Sequence, residues 1–238
     1  MLRKSGKSIR SGSIVLVAVF GVAAPIQAQH QKAHDASSPY PGMAPIAQYR
    51  MERDAEIALA RTAAPASISH DAEIVILGEK NFETAVKGTN GFICAVGRAF
   101  AGPLNNAEFW NPKNRSPVCF NPPAVRSLWP YAVKQTGMAL AGASHAQITD
   151  AIRTAVAKKE LGVPETGSMA YMMSKEAYLT DRGGHNLAHL MFELPRGGMF
   201  QNDPDYFVSW DPAPVIEFNV PVGQWSDGTP IAPPGKSR

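Results

Sequence analysis

The segment between Glu73 and Arg98 constrains the fold more than any other, because it predicts three short strands joined by two tight turns. Its apolar runs are interrupted first at residues 78–81 (GEKN) and then at residues 89–91 (TNG). Asn-Gly between two apolar runs is a strong hairpin signal, since both residues tolerate a positive φ. We therefore expect an antiparallel meander, with the rest of the chain covering one of its faces.

The first 28 residues have the three parts of a secretory signal peptide. Four basic residues come first, residues 14–24 form an apolar core, and residues 26–28 (IQA) fit a cleavage site. A core of this length is too short to span a bilayer, which takes about 20 residues. We expect export to the periplasm or the extracellular space and no membrane span after cleavage. A permanent N-terminal anchor is the alternative.

Removal of this signal changes how the charge is interpreted. The chain has 23 basic and 20 acidic residues. Four of the basic residues lie in the predicted signal, which leaves 19 basic against 20 acidic residues. The remaining chain is nearly neutral and has no basic stripe with interleaved aromatic residues, so the sequence argues against a nucleic-acid partner.

The 210 residues after the signal are enough for one domain. We expect a flexible leader at residues 29–45, a single domain at residues 46–225 and a Pro-rich tail at residues 226–238. The domain begins with a helix predicted over residues 46–64, whose apolar face packs on the sheet. Charged residues of this helix, Glu56 among them, are expected to point outward.

Two more helices are predicted after the first strands. Residues 123–142 favour a helix with a break near Pro130, because proline has no N–H to donate. Ser144 and Gln147 form a capping-box pattern at the start of the next helix. Residues 142–146 (GASHA) also resemble the nucleophile elbow of α/β-hydrolases. The helical cap is the favoured interpretation, because Ala replaces the last glycine of that motif.

The second half of the chain supplies further strands. Residues 168–174 and 187–194 predict two strands, and residues 214–222 predict a final edge strand. The order of elements predicts an α+β fold, in which helices pack mainly on one face of an antiparallel sheet of about five to six strands. This order is loosely like that of profilin-type and PAS-type folds, an analogy that assigns no function.

The two cysteines of the chain, Cys94 and Cys119, are predicted to form a disulfide, because exported proteins keep such bonds. Two separate thiols are the alternative. The bond would close a loop of 26 residues and stabilise the fold by roughly 3–4 kcal/mol in the chain-entropy model. The enclosed segment is irregular, and we expect it to be ordered with Phe109 and Trp110 as anchors.

Four segments resemble those of an uncharacterised family of exported bacterial proteins. They are residues 87–98 (KGTNGFICAVGR), 119–127 (CFNPPAVRS), 168–179 (SMAYMMSKEAYL) and 185–192 (HNLAHLMF). The match extends from about residue 56 to about residue 210. The resemblance implies export and a shared fold, and it transfers no catalytic residue.

His185 and His189 have the spacing H-x-x-x-H, which on a helix would let both imidazoles hold one metal ion. The glycines before them and the apolar run after them favour a strand, in which they would lie about 13 Å apart. A turn at His185 would still allow them to meet. On that strand His189 and Glu193 share a face, where Tyr171 or Lys175 could reach them from a neighbouring strand.

We derive two functional hypotheses from these features. The first is a non-catalytic small-molecule-binding module of the cell envelope without a cofactor, whose pocket lies between the sheet and the ordered segment around Phe109 and Trp110. Tyr171 and Lys175 are the other candidate ligand-binding residues. The alternative is a hydrolase, with or without zinc, that uses His185 and His189 together with Asp181 or Glu193. A structural or partner-binding envelope protein is a third class.

Overall fold

The segment that predicts three strands forms them, but within a larger sheet. The computed structural model describes residues 39–181, 187–197 and 207–231. In these ranges eight strands form one sheet in the order β2-β1-β3-β4-β5-β6-β8-β7. The strands are β1 (Glu73–Leu77), β2 (Phe82–Val86), β3 (Ile93–Gly97), β4 (Ser116–Phe120), β5 (Met169–Met172), β6 (His189–Pro195), β7 (Phe207–Ser209) and β8 (Val215–Pro221). The α+β class is confirmed, and the sheet is larger than predicted.

The predicted meander is wrong in its second turn. Strands β1 and β2 form the expected antiparallel hairpin, but β3 pairs in parallel with β1 on the other side. The connection crosses the start of β1 at Gly88, where an added Cβ would lie 2.1 Å from the backbone nitrogen of Glu73. Gly91 has φ +77°, so the Asn-Gly pair marks a turn. The turn leads into β3 beside β1 instead of closing a hairpin, and Asn90 Nδ2 donates to the Ile68 carbonyl there.

Helices lie on both faces of the sheet. The described ranges contain α1 (Arg53–Arg61), α2 (Ala66–Ser69), α3 (Pro122–Ser127), α4 (Trp129–Leu140) and α5 (His145–Ala157). Helices α1 and α2 pack on the face that carries the cysteine side chains, which we call the disulfide face. Helices α3 to α5 belong to the larger core on the opposite face, the cavity face. Three of the five described helices, including the two longest, thus lie on the cavity face, and the two others cover the disulfide face.

Local sequence signals explain the helix ends. The first predicted helix is shorter than expected, because Glu52 caps it by accepting from the backbone N–H groups of Asp54 and Ala55. The break predicted near Pro130 occurs at Leu128, between α3 and α4. The capping box of Ser144 is present at the start of α5. None of the helices in the described ranges combines the length and the apolar composition of a membrane span.

The predicted disulfide between Cys94 and Cys119 is confirmed. The two residues lie opposite each other on β3 and β4, with Cα atoms 4.0 Å apart. The segment between them is ordered, and its rings of Phe109 and Trp110 are buried and meet edge to face at 4.7 Å. The hydroxyl of Tyr49 donates to the Trp110 carbonyl at 2.7 Å, which ties the segment to the start of the domain.

A buried ion pair joins α1 to the end of β3. The Glu56 carboxylate accepts from Arg98 Nη2 at 3.0 Å and from the Leu77 backbone N–H at 3.1 Å. The expectation that Glu56 points outward is wrong, because the charge of Arg98 at the end of β3 requires a buried anion. The remaining Arg98 donors bind the carbonyls of Tyr49 and Val96.

Candidate functional site

A cavity of about 300 Å³ lies between the cavity face of the sheet and the start of the disulfide-enclosed segment. Strands β4, β5, β6 and β8 form its floor, and residues 98–106 form one wall. Its apolar lining includes the side chains of Val118, Phe120, Met172, Met191 and Trp210. Its polar lining includes Arg98, Asn106, Asn114, His189, Glu193, Glu217 and Asn219. The sequence predicts a pocket between the sheet and the segment around Phe109 and Trp110, whereas this cavity borders an earlier part of that segment, residues 98–106.

Strand β6 supplies three lining residues at alternate positions. His189, Met191 and Glu193 face the cavity, as the period of two in the sequence indicates. Phe192 and Leu194 point to the disulfide face and are 36% and 40% exposed. The strand therefore has an unusual pattern, because its most buried side chain is a carboxylic acid.

Two carboxyl groups meet across β6 and β8 in this cavity. Glu193 lies directly opposite Glu217 in the register, and the two residues are 2% and 7% exposed. Burial, and to a lesser degree the charge of Glu217, raise the pKa of Glu193 to about 9. Burial also raises the pKa of Glu217, against hydrogen bonds from Trp210 and Asn219. At neutral pH the pair therefore retains a proton.

Two acceptor atoms in this cavity have no hydrogen-bond partner among the described residues. They are Oε2 of Glu193 and Oδ1 of Asn219. Glu217 differs, because its Oε2 accepts from Trp210 Nε1 at 3.2 Å. Arg98 is the one arginine or lysine in the described lining, but its donors are directed to Glu56 and to backbone carbonyls. No described cation compensates the acid pair.

His189 is held as a neutral imidazole at the rim of β6. Its Nδ1 lies 2.7 Å from the Leu187 carbonyl. Because a carbonyl oxygen only accepts, Nδ1 carries the proton and Nε2 is left as an acceptor. Burial lowers the pKa of His189, against the effect of this hydrogen bond. His185 lies outside the described residues, so whether it meets His189 stays a prediction.

Asp181 lies at a different place, in a polar cluster on the surface. It accepts from the hydroxyls of Tyr40 and Tyr178 and, at 3.3 Å, from Lys113 Nζ. These donors lower its pKa to about 2. The cluster ties the start of the described chain to the disulfide-enclosed segment, and Asp181 is absent from the cavity lining.

The four candidate ligand-binding residues also lie outside the cavity lining. Tyr171 is on the disulfide face, where its ring packs 6.3 Å from that of Phe92. Lys175 pairs with Asp227 at 2.7 Å. Phe109 and Trp110 lie in the core, as described above. Within the part of the chain that the structure describes, no group of three or more His, Cys, Asp or Glu side chains could hold a metal ion.

The sequence interpretation missed the residues that β8 contributes. Residues 214–222 were expected to form an edge strand, but β8 pairs with both β6 and β7. Its alternation places Glu217 and Asn219 on the cavity face, opposite Glu193 and Met191. Alternation groups Glu217 with Asn219 but puts the apolar Ile216 on the other face, so it did not mark the acid as inward.

Comparison with known proteins leaves the chain without an assigned relative. No family model matches it, and no curated protein or solved structure is significantly similar to it. The resemblance to an exported bacterial family therefore stays a prediction.

Proposed function

We propose that this protein is a non-catalytic small-molecule-binding module of the cell envelope and that its ligand occupies the cavity between β4–β8 and residues 98–106. The observation that supports this proposal most is the unpartnered Oε2 of Glu193, a residue only 2% exposed, in a cavity with apolar walls. Small-molecule sites combine such walls with a few placed polar groups.

The energetic cost of this arrangement supports a binding role. A buried acceptor without a partner costs roughly 1–3 kcal/mol relative to one that is hydrogen-bonded. Glu193 and Asn219 each contribute one such acceptor to the same cavity, without a partner among the described residues. A ligand that donates to both atoms would supply the missing partners.

Blocking the cavity tests the proposal. We expect a fragment library to yield hits in ligand-observed NMR with protein purified after expression of the full-length chain. Met172→Trp, which fills the cavity from β5, should abolish the binding of those hits. Phe192→Trp is the matched control, because Phe192 lies on the opposite face of β6. Hits that bind the Met172→Trp protein as tightly as the wild type would overturn the proposal.

A hydrolase is the second candidate, and the acid pair is the observation that favours it. Two carboxyl groups that hold one proton between them can serve as general acid and general base. Glu193 and His189 of the predicted catalytic set share the cavity, whereas Asp181 does not. Turnover of an ester or glycoside by the wild type that Glu193→Gln abolishes would replace the binding-module proposal.

The assignment to the cell envelope has its own test. We expect intact-mass measurement of protein recovered from the periplasm or the medium to give a chain that begins at Gln29. A chain retained in the cytoplasm with its first 28 residues would contradict this assignment.

A further inference from the structure

We propose that the ligand of the cavity is an organic cation, an ammonium group attached to an apolar body. This inference rests on the proposed function and names the class of molecule that the site binds. It is drawn from the arrangement of acceptors, charges and apolar walls in the described lining.

The polar end of the cavity presents the oxygen atoms of two acids and one amide. Oε2 of Glu193 and Oδ1 of Asn219 are unpartnered, and the Glu217 carboxyl lies directly across from Glu193. Side chains at opposite positions of an antiparallel pair have Cβ atoms about 4.5–5.5 Å apart. Asn219 follows Glu217 by two positions on the same face. A single nitrogen between them could reach all three, and an ammonium carries three donors and no acceptor.

The charges around the cavity also favour a cationic ligand. The titratable or charged groups in the described lining are His189 and Glu193 on β6, Glu217 on β8 and Arg98 after β3. Arg98 is already paired with Glu56, and His189 is neutral at pH 7. An anionic ligand would find no available cation in this lining and would face two acids. A cationic ligand would provide the positive counter-charge that no described residue provides to the acid pair.

The rest of the cavity suits an apolar body. Val118, Phe120 and Met172 line the floor, and the ring of Trp210 lies on the side that also carries Glu217. Aromatic rings at such a site add a favourable interaction with a cation. The combination selects a ligand that is charged at one end and apolar at the other.

Proton linkage gives the inference a measurable signature. In the empty cavity Glu193 is protonated at pH 7, because burial and Glu217 raise its pKa. A bound ammonium favours the carboxylate form, so binding should release close to one proton per ligand. A neutral ligand should release none.

Three probes of similar shape and different charge test the inference. We would titrate 2-phenylethylamine, 2-phenylethanol and 3-phenylpropionate into the protein at pH 7 by calorimetry, in phosphate and in Tris. The amine should bind at least tenfold more tightly than the other two. The dependence of its binding heat on the buffer should show the released proton. Equal or tighter binding of the alcohol or the carboxylate would overturn the inference.

Variants separate this inference from the proposed function. Glu193→Gln and Asn219→Leu should each weaken amine binding at least tenfold and leave alcohol binding within twofold. Glu160→Gln, at an exposed position, is the matched control. If the alcohol or the carboxylate binds best and Met172→Trp removes that binding, the cavity binds ligands and only the cation assignment is wrong. If none of the three probes binds while library fragments bind and Met172→Trp removes that binding, the cation inference fails and the proposed function stands.

Discussion

Glu56 and Glu193 are both carboxylic acids with 2% exposure, yet their surroundings are opposite. Glu56, on α1, accepts from Arg98 and from the Leu77 backbone, so its charge is compensated. Glu193, on the cavity face, has another acid as its neighbour and an oxygen without a partner. The same residue type at the same depth is thus compensated in one place and uncompensated in the other.

The difference shows how a buried charge can be assigned to stability or to function. A paired acid such as Glu56 is costly to remove, since its partner would be left alone. An unpaired acid such as Glu193 destabilises the empty protein, and such groups concentrate at functional sites. Four experiments test this contrast.

Removing the compensated acid should have the largest effect. Glu56→Gln leaves the buried guanidinium of Arg98 without a counter-charge, and we expect a loss of about 3–5 kcal/mol in the free energy of unfolding. Urea denaturation followed by circular dichroism measures this. Asp54→Asn, at an exposed position of the same helix, should change stability by less than about 0.5 kcal/mol. Equal effects of the two variants would refute the contrast.

Reducing the disulfide should have the next largest effect. Loss of the Cys94–Cys119 bond is expected to lower the free energy of unfolding by roughly 3–4 kcal/mol. The double variant Cys94→Ala/Cys119→Ala should behave like the reduced wild type in urea denaturation. Because the bond lies on the disulfide face, the double variant, which has no titrating thiol, should keep the pH dependence of the wild type. A shift of that dependence would show that the two faces are coupled.

Replacing the uncompensated acid should remove a dependence on pH. The ordinary pKa of a glutamate is 4.5, and that of Glu193 in the folded protein is about 9. Between these values the folded protein holds a proton that the unfolded chain has lost, so stability falls as pH rises. From pH 7 to pH 8.5 we expect a decrease of about 2 kcal/mol from this group.

The Glu193→Gln protein should lack this contribution, because Gln resembles the protonated acid. Denaturation in urea at pH 7, 7.5, 8 and 8.5 gives the slope of the free energy of unfolding against pH for the wild type and for the variant. This range lies above the ordinary pKa of histidine, so histidine titration contributes little to either slope. Glu160→Gln should follow the wild type. Parallel curves for wild type and Glu193→Gln would mean that the buried acid is not protonated.

A substitution on the disulfide face that keeps its packing intact should have the smallest effect on stability. Tyr171 was a candidate ligand-binding residue, but its ring packs against Phe92 away from the cavity. Tyr171→Phe should alter the free energy of unfolding by less than about 0.5 kcal/mol. It should also leave the binding of any cavity ligand unchanged in the NMR assay. A loss of binding would restore Tyr171 to the site.

Residue patterns predicted what depends on neighbours in sequence. The alternation around His189 placed Glu193 on the same face as that histidine, and Ser144 marked a helix start. These patterns failed where the structure depends on a residue that is distant in the sequence. Glu56 pairs with a residue 42 positions away, which helical periodicity cannot reveal. The Asn-Gly turn gave no indication that β3 would join β1, because that choice depends on the close approach at Gly88.

The cavity draws its lining from four separate parts of the chain, residues 98–120, 172–179, 189–193 and 210–219. No fragment that lacks one of them contains the whole site, so the site exists only when β4, β5, β6 and β8 have assembled. A ligand would then bind the native state and not its pieces. At a hundredfold excess over its Kd it would raise the free energy of unfolding by about 2.7 kcal/mol. Occupancy of this single cavity would thereby protect the entire domain against unfolding and proteolysis.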